Sequence, residues 1–208
     1  MTLVLATSAT LRQKIKINNY KRMAGIAKLY KGKFEVKNIV FTRVWAMPSP
    51  WTFSIRPVAA LLEKYVGEGW NWIDPFAGKN SPAKLRNDHN PEMPAEYHLE
   101  ALEFAQSVNH KWGFEGVLFD PPYSFRQISE HYKHLGMKAT KWHTSMAFYE
   151  KVKSALADKI KPGGYAISFG WNTNGFGKAR GFEIIEIMAI AHGGSKNDTI
   201  VTVERKVN

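Results

Sequence analysis

The sequence contains no cysteine and no long apolar run, and these two absences exclude several classes of protein. Without cysteine there can be neither a disulfide framework nor a thiolate metal site. A membrane-spanning helix needs roughly 20 consecutive apolar residues, and no window of the chain approaches that length. The apolar stretch at the start of the chain is too short for a signal peptide. We therefore expect a soluble, cytoplasmic protein without a membrane partner.

Acidic residues are nearly absent from the first 45 residues, where Glu35 stands alone against ten lysines and arginines. This segment carries +9 of the formal net charge of +11, which leaves +2 for the rest of the chain. Such a concentration of positive charge is typical of an arm that binds nucleic-acid phosphates and releases counterions. An extension that is basic only for solubility is the alternative. We predict a basic N-terminal extension at 1–45 and a single domain at 46–208.

The second part of the chain alternates between strand and helix patterns. The strand patterns cover 70–74, 116–120 and 165–170, and the helix patterns cover 58–66, 81–88, 101–104 and 145–160. Ser81 is predicted to cap its helix, with Pro82 in the first turn. Two further strands at 182–192 and 198–207 favour an antiparallel hairpin. The sequence therefore predicts an α/β fold with a mostly parallel sheet and helices on both faces.

Four polar motifs follow the predicted strands or their neighbours. They are DPFAGKN at 74–80, DHNP at 88–91, DPPY at 120–123 and GWNTNG at 170–175. In parallel α/β sheets, ligands bind beyond the carboxyl ends of the strands. We therefore expect these motifs to form the functional site.

The chain resembles the amino-group DNA methyltransferases that use S-adenosylmethionine in the order of four motifs, which are DPFAGKN at 74–80, NDHNP at 87–91, HLEALEF at 98–104 and DPPY at 120–123. The resemblance covers residues 50 to 205. It implies a Rossmann-like class I methyltransferase fold with a seven-stranded sheet, and methyl transfer to the N6 amine of adenine in DNA. Cytosine N4 and RNA adenine are alternative targets, and a nucleic-acid-binding module of the same fold without activity is another. The oligomeric state is left open.

The resemblance also implies the residues of an S-adenosylmethionine site. They are Phe53, Ser54, Asp74, Pro75, Phe76, Ala77, Gly78, Asp88 and Glu100. Gly78 would allow close approach of the backbone to the cofactor. Asp88 would accept hydrogen bonds from ribose hydroxyls, and Glu100 would bind the adenine amine. In the alternative interpretation, Asp88 caps a turn, Glu100 is an exposed acid at a helix start and Phe53 belongs to the core.

The DPPY motif has a chemical interpretation of its own. A base amine is a weak nucleophile because its lone pair is delocalised into the ring, so an enzyme must orient the nitrogen toward the methyl donor. The carboxylate of Asp120 and the carbonyl of Pro121 can each accept one N–H of the amine, and Pro122 helps to stiffen the turn. Tyr123 would stack on a base that is flipped out of the duplex. These four residues are the predicted catalytic group.

Substrate contacts are predicted on both sides of the catalytic motif, at Ser124, Arg126, Trp171 and Asn172. The insert at 125–145 is basic and aromatic, so it could close over the target or contact flanking phosphates. A solvated helix is the alternative for the insert, and an ordinary turn is the alternative for 170–175. Apart from this insert and the N-terminal segment, no stretch is long enough for a target-recognition domain.

Three histidines lie in the insert, at His131, His134 and His143. They lack carboxylate or thiolate partners at the spacing of metal ligands, so no metal site is predicted.

Overall fold

The computed structural model describes residues 39–122, 133, 136, 145–194 and 196–207. Among the predicted site residues, Tyr123, Ser124 and Arg126 lie outside the described residues, as does most of the insert. The chain divides into the units Met1–Asn38 and Ile39–Asn208, and every described element belongs to the second unit.

The described elements alternate between strands and helices, as the sequence predicts. In chain order they are β1 (Val40–Trp45), α1 (Arg56–Tyr65), β2 (Trp72–Asp74), β3 (Leu85–Arg86), α2 (Ala101–Ser107), β4 (Phe114–Phe119), α3 (Met146–Ala157), β5 (Ile160–Gly170), β6 (Phe182–Ala191) and β7 (Thr199–Lys206). Two short 3₁₀ helices, Thr52–Ser54 and Lys178–Arg180, lie in the connections.

The strands form one seven-stranded sheet in the order β1-β6-β7-β5-β4-β2-β3. β2 pairs in parallel with β3 and β4, β4 with β5, and β1 with β6. β7 is antiparallel to both of its neighbours, β5 and β6. Strands β1 to β6 therefore all end at the same side of the sheet, which we call the carboxyl edge. The predicted mostly parallel sheet with an antiparallel C-terminal hairpin is confirmed.

Helices cover both faces of the sheet and create two apolar cores. Val117 of β4 packs into the core with α2 and α3, whereas the next residue, Leu118, packs into the core with α1. Successive side chains of a strand point to opposite faces, so a strand that is covered on both sides must be apolar throughout. This explains the uninterrupted apolar run that precedes Asp120.

The helices begin where local sequence signals place them. α1 carries buried side chains at Val58, Leu61 and Leu62, the spacing of one helical face, and Pro57 lies in its first turn. At the start of α3, the Ser145 hydroxyl accepts a hydrogen bond from the backbone N–H of Phe148, the third residue of the helix.

The predicted helix at 81–88 is wrong. Leu85–Arg86 instead form β3, which pairs with β2. The Ser81 hydroxyl donates a hydrogen bond to the Asp74 carboxylate and accepts one from the Ala83 N–H at 3.3 Å, so it stabilises a turn that leads into the sheet and not a helix. The Lys84 N–H bonds the carbonyl of Gly69, which directs the backbone into the sheet. The tertiary contacts therefore override the local signal for a helix.

The sheet begins before the predicted domain boundary near residue 45. β1 pairs with β6 along its whole length, from the Val40 and Glu186 pair to the Trp45 and Ala191 pair. The sequence analysis assigned these residues to the extension because the segment 1–45 is basic. Their sequence, VFTRVW, nevertheless has the β-branched and aromatic content that is usual for a strand. The division into an extension and a catalytic domain stays a prediction.

Within the part of the chain that the structure describes, no helix combines the length and the hydropathy that crossing a bilayer requires.

Candidate active site

A cavity of about 140 Å³ lies at the carboxyl edge of the sheet. It is lined by Pro50, Trp51, Thr52, Phe53, Phe76, Ala77, Gly78, Lys79, Asn80 and Asp120. Residues 76–80 follow β2, and Asp120 follows β4, the neighbouring strand. The predicted cofactor motif and the predicted catalytic carboxylate therefore line the same cavity.

Asp74 shapes the turn that follows β2. Its side chain is fully buried, and its two oxygens accept hydrogen bonds from the Phe76 N–H at 2.9 Å and from the Ser81 hydroxyl at 2.6 Å. These contacts fix the backbone that leads into the cavity. The predicted direct contact of Asp74 with a cofactor stays a prediction, as does that of Pro75.

The Asp74 carboxyl should make folding stability depend on pH. Burial raises its pKa from the ordinary value of 3.8 to about 7, helped by the charges of Asp120 and Asp88 and opposed by its two hydrogen bonds. The folded chain then holds a proton that the unfolded chain has lost between these two pH values. The free energy of unfolding should therefore fall by about 1 kcal/mol per pH unit between pH 5 and 7, and level off above.

The variant Asp74→Asn tests this expectation, because an amide of the same shape cannot ionise. Urea unfolding at pH 5 and pH 8 should show a smaller loss of stability for the variant than for the wild type. An equal loss in both proteins would assign the pH dependence to other groups.

Gly78 lies in the cavity wall, close to the ring of Trp51. Its φ of +52° favours glycine, and a Cβ at this position would lie 3.3 Å from the ring of Trp51. Its N–H donates a hydrogen bond to Asp88, whose other carboxylate oxygen accepts from the N–H of Asn90. Asp88 thus holds the turn around Gly78, as the capping alternative expects. Its contact with a ribose stays a prediction.

Asn87 is a site residue that the sequence analysis missed. Its buried side chain donates to the carbonyls of Pro75 and Leu99 and accepts from the Leu99 N–H, at 2.9 to 3.1 Å. Its backbone also bonds Asp74 and Ala77. One amide therefore connects the turn after β2 with the segment before α2. The sequence signal was the place of Asn87 in the motif NDHNP, directly before Asp88.

Tyr149 of α3 connects the cofactor motif with the catalytic motif, and it was also missed. Its ring packs against those of Phe76 and Phe119, with ring centres 6.1 and 6.4 Å apart. Its hydroxyl lies 3.5 Å from the carbonyl oxygen of Pro122, at the long end for a hydrogen bond. Burial raises the pKa of Tyr149 to about 12, with a further contribution from the charge of Glu100. The hydroxyl therefore stays protonated and can donate.

The segment before α1 forms the wall of the cavity opposite the turn after β2. Phe53 lines the cavity and is also buried against Phe169, with ring centres 5.0 Å apart, as the core alternative expects. Its contact with a cofactor stays a prediction. The hydroxyl of Ser54 donates to the Trp51 carbonyl and stabilises the 3₁₀ helix. Trp51 was missed although it lies only two residues before Phe53. The Lys79 ammonium lies 5.2 Å from the centre of its ring.

Glu100 directly precedes α2, so it lies at a helix start, as the alternative interpretation expects. Its carboxylate is half-buried and lies 3.4 Å from Nδ1 of His89. Its pairing with a cofactor amine stays a prediction.

The loop after β5 carries Trp171 and Asn172. The indole of Trp171 is about half exposed, and the side-chain oxygen of Asn172 accepts the Asn174 N–H at 2.8 Å. A buried carboxylate, Glu204 of β7, accepts the N–H groups of Phe176 and Gly177 at 2.5 and 2.9 Å and anchors the loop. Burial raises the pKa of Glu204. Contact of the loop with a substrate stays a prediction.

Among the described residues, no group of three or more histidine, aspartate or glutamate side chains could hold a metal ion. The histidines of the insert at 131, 134 and 143 lie outside this part of the chain.

The fold resembles those of methyltransferases of known structure. The whole chain matches 94% of the 1,6-didemethyltoxoflavin-N1-methyltransferase of Burkholderia thailandensis, crystallised with bound 1,6-didemethyltoxoflavin and S-adenosylhomocysteine, at 10% identity and a TM-score of 0.51. A match to TrmN of Thermus thermophilus covers 74% of this chain and 49% of that chain, at 14% identity and a TM-score of 0.50. No protein-family model and no curated protein matches the sequence. The similarities show the predicted Rossmann-like class I methyltransferase fold.

Proposed function

We propose that this chain is an S-adenosylmethionine-dependent methyltransferase that acts on the N6 amine of adenine in DNA. The observation that carries the proposal is the shared cavity, in which Asp120 and the turn at 76–78 line one space. A methyl transfer needs its donor and its acceptor side by side in this way. Neither motif alone would distinguish an active site from an ordinary strand end.

The residues around the cavity fit S-adenosylmethionine. Gly78 leaves open a space that a Cβ would narrow against Trp51, and Phe53 and Phe76 add apolar walls. When bound, the cofactor supplies an electrophilic methyl group on a positively charged sulfur. The carboxylate of Asp120 would attract this charge within the cavity. The Burkholderia thailandensis enzyme of similar fold was crystallised with S-adenosylhomocysteine, which supports the choice of cofactor.

In the proposed mechanism, the catalytic turn orients the target amine. The carboxylate of Asp120 accepts one N–H and the carbonyl of Pro121 accepts the other, which directs the nitrogen lone pair toward the methyl carbon. The two prolines restrict the turn, and Tyr149 supports it from α3 near the Pro122 carbonyl. In this mechanism Tyr123 stacks on the target base, and the insert and the loop after β5 contact the rest of the substrate.

Nucleic acid is the proposed substrate because of the distribution of charge. The first 45 residues carry a net charge of +9, and the isoelectric point of the chain is about 9.7. A polyanion gains binding free energy from such a segment by releasing counterions. The aspartate at the start of DPPY favours adenine, since the corresponding motif of the cytosine N4 enzymes that the chain resembles more often begins with serine.

The decisive experiment is methyl transfer from labelled S-adenosylmethionine to DNA and to RNA, followed by digestion and identification of the modified nucleosides. N6-methyldeoxyadenosine is the expected product. N4-methyldeoxycytidine or N6-methyladenosine would keep the mechanism and change the substrate. Cofactor binding without any labelled product would favour an inactive nucleic-acid-binding module.

A further inference from the structure

β1, which lies at one end of the strand order of the described sheet, exposes two large aromatic side chains with a cation between them. Phe41 and Trp45 are each 65% exposed, and Arg43 between them is exposed as well. Alternate residues of a strand share one face, so these three form a row, which we call the aromatic strip. Val44 points to the opposite face, where it packs against the core around α1. The exposure of the aromatic strip is therefore not a consequence of a loosely packed strand.

The neighbouring strand leaves the rings of the aromatic strip accessible. In the register of β1 with β6, Phe41 lies beside Ile187, Arg43 beside Ala189 and Trp45 beside Ala191. The methyl side chain of Ala191 is too short to cover the indole of Trp45, and Phe41 stays 65% exposed beside Ile187. A Cβ at Gly193 would lie 3.5 Å from Nε1 of Trp45, so one edge of the indole rests against this turn.

Arg43 contributes a positive charge to the aromatic strip. The buried acid of β6, Glu186, lies on the other face of the sheet, where it accepts from Lys64 and from the hydroxyl of Tyr65, each at 2.6 Å. The charge of Arg43 is therefore not opposed by this carboxylate. The segment 1–45, which includes Arg43, has only one acid.

The aromatic strip leads toward the active site. β1 runs parallel to β6, so Trp45 lies at the carboxyl edge of the sheet, and the chain reaches the cavity lining at Pro50 and Trp51 a few residues later. Two hydrogen bonds fix the first step of this path. The Ala46 N–H bonds the Ala191 carbonyl at 3.1 Å, and the Ala46 carbonyl lies 2.8 Å from Nδ1 of the buried His192.

We propose that the aromatic strip binds an unpaired segment of the nucleic-acid substrate that flanks the target base. Bases stack on Phe41 and Trp45, and Arg43 contacts a phosphate. Exposed aromatic residues on a sheet, interleaved with cations, are the usual platform for single strands, because every base has a face that can stack. Phe41 and Trp45 lie about 13 Å apart along the strand, enough for more than one base. The inference rests on the proposed function in taking nucleic acid as the substrate, and adds where a flanking strand binds.

The test measures binding of a fluorescent single-stranded oligonucleotide to the full chain by anisotropy. Phe41→Ala and Trp45→Ala should each weaken binding by about fivefold or more, the effect expected when one base loses its stacking partner. Trp45→Phe should retain most of the affinity because it keeps an aromatic face. Trp70→Ala and Trp112→Ala are matched controls, since these side chains are 75% and 73% exposed elsewhere, and both should bind normally.

Three results would overturn the inference. One is normal oligonucleotide binding by both alanine variants. Another is an equal loss of affinity for inorganic polyphosphate, which has charge but no bases. The third is a change in the sedimentation coefficient of the unliganded chain on either alanine substitution, which would show that the aromatic strip is a contact between two copies of the chain.

Methyl transfer by the same proteins separates this inference from the proposed function. If the wild-type chain methylates DNA and the alanine variants bind the oligonucleotide normally, only the inference about the aromatic strip is contradicted. If the alanine variants lose oligonucleotide binding but the wild-type chain transfers no methyl group, only the proposed function is contradicted.

Discussion

Replacement of Asp120 by alanine is expected to abolish methyl transfer while S-adenosylhomocysteine still binds with near-normal affinity. The variant removes the acceptor that orients the target amine, and loss of one such group typically costs about a hundredfold to a thousandfold in rate. The rate is measured in single turnovers with labelled cofactor. S-adenosylhomocysteine is the better probe for affinity, because it lacks the positive sulfur that the Asp120 charge would attract.

Glu115→Ala provides the control for Asp120→Ala. Glu115 lies on β4, the strand that leads to Asp120, but its exposed carboxylate pairs with Lys161 at 2.9 Å and does not line the cavity. Its removal should leave methyl transfer unchanged. Undiminished transfer by Asp120→Ala would refute the role proposed for the Asp120 carboxylate, and a parallel loss in Glu115→Ala would indicate a general effect of removing an acid from this part of the chain.

The convergence of the two main motifs could be predicted from the sequence because it follows from strand direction. Asp74 and Asp120 each lie at the end of an apolar run, and parallel neighbouring strands end at the same edge. The positive φ of Gly78 is likewise consistent with a glycine chosen for its conformation. These features depend on short segments and on one general rule of sheet topology.

The short connection between β2 and β3 could not be predicted in this way. Ser81 and Pro82 have the local chemistry of a helix start, but the Ser81 hydroxyl bonds Asp74 and the backbone of Asn87 joins the turn. A hydrogen bond to a residue earlier in the chain has no signature in a local pattern. The burial of Asp74 favours this turn over a helix, because a buried carboxylate requires hydrogen-bond donors.

The roles of Tyr149 and Glu204 could not be predicted for the same reason. Tyr149 is one position in an amphipathic helix, and Glu204 is one acid in the last strand. Only the packed chain shows that the first contacts Phe76 and Phe119 and that the second binds the loop after β5. Alternation would predict Glu204 as a solvent-facing residue, yet it is almost completely buried. Such positions are determined by contacts between distant segments.

The variant Gly78→Val is expected to weaken cofactor binding by about tenfold or more, a loss of at least 1.4 kcal/mol. A Cβ at Gly78 would lie 3.3 Å from the Trp51 ring, and the larger valine side chain would occupy the cavity between them. The backbone contributes a second cost, because φ is +52° and a β-branched residue is strained there. Calorimetric titration with S-adenosylhomocysteine gives the affinity, and urea unfolding gives the stability.

Gly67→Val separates these two costs. Gly67 has a nearly identical φ of +55°, but nothing lies within 4 Å of its Cβ position. Both variants should therefore lose stability through backbone strain of roughly 1–2 kcal/mol, while only Gly78→Val should lose cofactor affinity. Equal affinities in the two variants would show that the cofactor does not approach the turn after β2. Because the same turn faces Asp120 across the cavity, that result would also remove the basis for placing a methyl donor beside the catalytic carboxylate.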